Sequence, residues 1–207
     1  MSKKNEPLFS RNVVEFTAAA AEFCKYAEHA REIKGGEMLR ILQRILPFIY
    51  LKASLLPDLE PFFDDGNEKF VNEADWNRIR DDFRFVLASA DDYLGQTDER
   101  LTEIPDDKTS SISEDMADIY QDLKDFLLLF QTGTQEVMND AVWECRLNFE
   151  NIWGQKLLSS MRAIHRFIYS GEEISELPDE DKTGGEERNT RDWIISKRQK
   201  DFRKNGK

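Results

Sequence analysis

The chain is poor in the residues that most often carry chemistry. Its 207 residues include two cysteines, Cys24 and Cys145, and two histidines, His29 and His165. No Cys-x-x-Cys spacing occurs, which excludes the common structural zinc sites and thioredoxin-like redox chemistry. Both cysteines fall within apolar helical patterns and read as reduced core thiols. A di-iron site in a bundle needs Glu-x-x-His on two helices, but the residues three before the histidines are Tyr26 and Arg162. That motif is excluded, and two histidines are too few for a His-only metal site. Neither Gly-x-x-x-x-Gly-Lys nor Gly-x-Gly-x-x-Gly is present, so the standard phosphate cradles are missing. There is no DNA-binding motif.

Long apolar runs are also lacking. The longest, residues 45–56, is twelve positions and already contains Lys52 and Ser54, whereas a membrane-spanning helix needs roughly twenty apolar residues. Lys3 and Lys4 are not followed by the apolar stretch of an export signal, so the expected location is the cytoplasm. Six prolines and ten glycines are too few for collagen-like or low-complexity structure.

What the chain does have is charge, aromatic residues and helical period. Asp and Glu outnumber Lys and Arg by 41 to 29, a net charge of −12, and fourteen Phe with four Trp supply the apolar surface a core requires. Apolar residues recur at helical spacing from 11 to 169 with no period-two alternation. The spacing predicts a first helix over 11–32 with Ser10 as N-cap, ended by Gly35-Gly36. A second, over 37–56, contains Pro47 and should kink or break near 44–46; its apolar end, 48–56, should lie buried all round. Asn72 caps a third helix reaching Leu94. Ser111-Ile112-Ser113-Glu114 is a capping-box pattern opening a fourth, with Ile112, Met116, Ile119, Leu123, Phe126 and Phe130 as its stripe. Thr134 caps a fifth, reaching Tyr169 and bent at Gly154. The fold class is all-α: an antiparallel bundle of five main helices over 1–170. Residues 171–207 form a tail, either a short helix or disordered. Its first part, 172–187, has eight acids and one base; its last, 188–207, has eight bases and two acids.

Three groups of residues resemble a known family. The first is the run from Leu46-Pro47-Phe48-Ile49-Tyr50 to Leu55-Leu56-Pro57, and the second runs from Ile112-Ser113-Glu114-Asp115 to Lys124-Asp125-Phe126. The third comprises Met138-Asn139-Asp140-Ala141, Asn148-Phe149, Trp153-Gly154-Gln155 and Arg162-Ala163-Ile164-His165. Together they resemble an uncharacterised bacterial helical family, domain of unknown function 5063, over about residues 10–169. The resemblance implies an all-helical domain and brings no activity, ligand or catalytic residue with it.

Four aspartates, Asp115, Asp118, Asp122 and Asp125, follow the 3-4-3 spacing of one helix face. Against the apolar stripe, Asp115 and Asp122 flank the core edge while Asp118 and Asp125 point outward, and a solvated acidic face is the favoured reading. The alternative is a divalent-metal site completed by Glu136, Asp140 and Glu144, serving a hydrolase of the nucleotide pyrophosphohydrolase kind. Those enzymes pair Glu-x-x-Glu with Glu-x-x-Asp, whereas this chain offers Asp-x-x-Asp. Asn148, Asn151 and Gln155, with Arg162 and Tyr120, form either a polar pocket or a network fixing helix register. Lys52 is read as a lysine with its stem on the core and its amine in water. In the tail, Arg191, Trp193, Lys197, Arg198 and Arg203 make a short basic amphipathic segment suited to a protein or RNA partner. The composite expectation is a non-catalytic interaction or adaptor protein that needs no cofactor.

Overall fold

The computed structural model describes residues 7–64, 66–94 and 109–174. Helix α1 spans Arg11–Glu28 and buries Val13, Phe16, Ala20, Phe23 and Ala27 along one stripe. Ser10 occupies its N-cap position without a side-chain cap bond, and a 3-10 turn, Ala30–Glu32, follows. Helix α2, Gly35–Ala53, begins on the two glycines expected to end α1 and runs unbroken through Pro47. Gly35 is required by contact: a Cβ there would lie 2.1 Å from the carbonyl oxygen of Val86.

Helix α3, Glu73–Leu87, opens on a full capping box in which Asn72 accepts the amides of Ala74 and Asp75 and Asp75 answers the amide of Asn72. It stops seven residues before the expected Leu94, because the chain turns at Ala88 (φ 46°). It then enters strand β1, Asp92–Leu94, which pairs antiparallel with β2, Thr109–Ser111. The register sets Asp92 against Ser111 and Tyr93 against Ser110. Three-residue strands are too short for alternation to show in the sequence.

Helix α4, Ile112–Phe130, starts at the predicted cap, where Ser111 Oγ accepts the amide of Glu114 at 3.2 Å. It is the central element, packed on α1, α3, α5 and α6, and 15 of its 19 residues are buried. The predicted fifth helix is present as α5, Gln135–Asn148, and α6, Gly154–Ser170, joined end to end by one turn of π-helix, Phe149–Trp153. The wide turn precedes Gly154, where a Cβ would lie 2.4 Å from the carbonyl oxygen of Phe149.

The core centres on Phe16, Phe23, Phe83, Phe126 and Trp153, all buried. Phe16 and Phe126 join α1 to α4 with ring centroids 5.1 Å apart, and Tyr50 meets Phe149 edge-on at 5.1 Å. The end of α2 departs from expectation. Phe48, Leu51 and Leu55 are 46%, 52% and 44% exposed. Helix α2 packs against α1, α3 and α6, and the side that carries these three residues is covered by none of those helices.

Candidate functional site

The four aspartates of α4 are all buried, at 2–8% exposure. This corrects the expectation of a solvated face. A helical wheel centred on one apolar stripe assumes an opposite side in water, and a helix surrounded by four others has none. Each carboxylate instead fastens a different part of the fold to α4. Asp115 Oδ2 accepts hydrogen bonds from Tyr93 of β1 (2.5 Å) and Ser160 of α6 (2.7 Å). Asp118 Oδ1 accepts from the Trp76 indole of α3 at 2.8 Å, and its Oδ2 pairs with the Lys156 ammonium of α6. Asp122 Oδ1 accepts from Asn148 of α5 at 2.6 Å. Asp125 Oδ1 accepts the backbone amides of Phe70 and Val71 at 2.9 and 3.0 Å, where the long 54–72 connection enters α3. These charged hydrogen bonds offset the desolvation that an unpaired buried carboxylate would suffer.

Three further acids work the same way, of which only Asp91 was not singled out in the sequence. Asp91 receives the amide and hydroxyl of Ser113, both at 2.7 Å, at the start of α4. There the positive end of the helix dipole favours a carboxylate. Asp140 takes the amides of Phe62 and Phe63 at 2.7 and 2.9 Å, and Glu144 holds Asn67 and Lys69. Asp140 and Glu144, suggested above as metal ligands, therefore bind the 54–72 connection, and Glu136 is exposed. Among the described residues no three His, Cys, Asp or Glu side chains come together as a metal-ligand set.

The proposed polar pocket is not assembled. Tyr120 donates to Glu28 at 2.9 Å, beside Lys124, and Asn148 serves Asp122. Asn151 returns to the Leu147 carbonyl of its own helix. Asn151, Gln155 and Arg162 are exposed. The π turn is the reason: positions 148 and 155 share a face of a uniform α-helix, but the extra residue of a wide turn between them rotates Gln155 outward. The same turn carries Trp153 into the core, where it is among the largest fully buried side chains. Lys52 departs from its reading as well, because its amine meets Glu15 at 2.5 Å and its side chain is 15% exposed. Ser54 bonds to the Leu51 carbonyl, and His165 stacks on Tyr169, so neither supplies a nucleophile–base pair with the other. The cysteines are buried and free, and burial pushes both thiols well up. The tail candidates Arg191, Trp193, Lys197, Arg198 and Arg203 lie outside the described residues.

Burial pushes the carboxyls of Asp91 and Asp115 up to about 6 despite their hydrogen bonds. An acid with a folded pKa above its unfolded value binds more protons in the folded state. Its stabilising effect is therefore complete at low pH and is lost as pH rises between roughly 4 and 6. Melting temperature is expected to fall from pH 5 to pH 7, with each group contributing on the order of 1 kcal/mol to the change. Asp115→Asn, which preserves an acceptor for Tyr93 and Ser160, should flatten the profile. An unchanged slope in that variant would refute the assignment.

No described helix is long and apolar enough to cross a membrane. The family model described as a domain of unknown function (DUF5063) matches residues 7–170. Among solved structures, the chain is similar to protein BF1032 from Bacteroides fragilis, a structural genomics target, with 42% identity. The match covers 81% of this chain and 98% of that one, with a TM-score of 0.71. No curated protein matches.

Proposed function

The chain belongs to the DUF5063 family, and from that premise we propose that it is a non-catalytic interaction protein of the cytoplasm. On this reading it is an adaptor whose tail, residues 188–207, holds a partner protein or RNA. The observation that carries the proposal is the use of the carboxylates on α4. Groups that in a hydrolase would face a cleft here accept hydrogen bonds from Tyr93, Ser160, Trp76, Lys156, Asn148 and the 70–71 backbone. They hold the bundle together and present no converging set to a substrate. The sequence meanwhile concentrates eight bases in its last twenty residues, interleaved with Trp193, Ile194, Ile195 and Phe202. That composition suits an anionic or mixed partner.

Deleting residues 188–207 is expected to leave the melting temperature unchanged while abolishing capture of partners in a pull-down. Nuclease treatment of the captured material separates RNA from protein. Undiminished capture by the truncated chain would overturn the reading.

A further inference from the structure

Helices α2 and α6 pack against each other, with Gln43 donating to the Tyr169 hydroxyl at 3.3 Å. In a chain of net charge −12, this pair is basic. It holds Arg40, Arg44, Lys52, Lys156, Arg162 and Arg166 against a single acid, Glu37. Lys52 and Lys156 are committed to Glu15 and Asp118. The four arginines are exposed, and among the described residues none of them makes an ion pair or hydrogen bond.

On α2 the charge continues into apolar surface. Arg40, Arg44, Phe48, Leu51 and Leu55 are spaced four, four, three and four apart, so they share one side of the helix and the turn that follows it. The last three are 44–52% exposed. At 1.5 Å per residue the ridge is about 22 Å long, the length of a four-turn helix. Exposed apolar side chains ordered in this way commonly mark a protein-binding surface.

We propose that this ridge is a docking site for an acidic amphipathic helix of a partner protein. The ridge is basic toward the start of α2 and apolar toward its end. Its complement carries Asp or Glu over one half and Leu- or Phe-type side chains at i, i+3/i+4 and i+7 over the other. Charge complementarity selects this occupant: on an acidic protein, exposed arginines with no ion pair among the described residues are where an anionic segment is drawn in rather than repelled. Of the three apolar side chains only Phe48 has a π-face for stacking bases, and the Lys52 ammonium already lies 5.5 Å from its ring centroid, which disfavours RNA. The inference rests on the reading of the chain as an interaction protein but does not involve its tail.

The test is a selection of displayed helical peptides of random sequence on the full chain. The selection is counter-selected on the full chain carrying Arg44→Glu and Leu51→Asp. Both substitutions are at exposed positions, and both chains retain the basic tail. Enriched peptides should combine acids at one end with a spaced apolar face at the other, and should bind the double variant at least about tenfold more weakly. Equal binding to both chains, or enrichment of peptides lacking acids, would overturn the proposal. So would stronger variant-sensitive binding of poly(U) or phosphatidylserine vesicles, or self-association of the chain that the double variant abolishes. Equal peptide binding by the two chains, with tail-dependent capture intact in the double variant, would sink this inference and leave the proposed function standing.

Discussion

Asp118→Ala is expected to destabilise the bundle by about 2–4 kcal/mol, read as a lower urea midpoint with an unchanged slope. The carboxylate joins three helices, accepting from Trp76 of α3 and Lys156 of α6 while belonging to α4. Its removal leaves the Lys156 ammonium without its counter-ion at a site where the lysine side chain is 36% exposed. Partial exposure places the loss below that of a fully buried broken pair. Asp118→Asn separates the two roles, because an amide oxygen can still accept from the indole although the charge is gone; it should fall between wild type and alanine. A loss under about 0.5 kcal/mol for Asp118→Ala, the size of an ordinary surface substitution, would mean that the carboxylate is no more than a surface partner.

Gly154→Ala should run against helix propensity. In a helix interior this change ordinarily stabilises by up to about 1 kcal/mol. Here the new Cβ would lie 2.4 Å from the carbonyl oxygen of Phe149 and 3.0 Å from two of its ring carbons. A methyl group cannot enter that space unless the π turn closes or Phe149 moves, and Phe149 packs on both Tyr50 and Trp153. The expected result is a loss of about 1–3 kcal/mol, typical of overpacking. Near-ultraviolet circular dichroism, which senses Trp153, should change with it. A rise in melting temperature would show that the wide turn can revert to α-helix without strain.

Much of the architecture was legible in the order of residues. The stripe of α4 from Ile112 to Phe126, the Asn72 and Ser111 caps and the α1 stripe all follow from local rules. Apolar period and capping depend on neighbours three or four positions away. At Gly154 the sequence pointed to a bend in one long helix, whereas the structure has a π turn, Phe149–Trp153, that ends at that glycine. The boundaries near Gly35 and Ala88 were misread. At Gly35 the governing contact is with Val86, fifty-one positions along the chain, and at Ala88 the turn leads into a hairpin strand paired with residues 109–111.

The spacing of Asp115, Asp118, Asp122 and Asp125 was plain in the sequence, and so was the apolar character of Phe48, Leu51 and Leu55. Which of them would face water was not. A side chain's period names the face it shares with its neighbours, but burial depends on how many other helices surround that face. Helix α4 is enclosed and its acids became internal fasteners, while α2 lies at the rim and part of its apolar side stayed outside. Local periodicity determined the helices. Their arrangement alone decided which polar groups hold the fold together and which surface remains open to a partner.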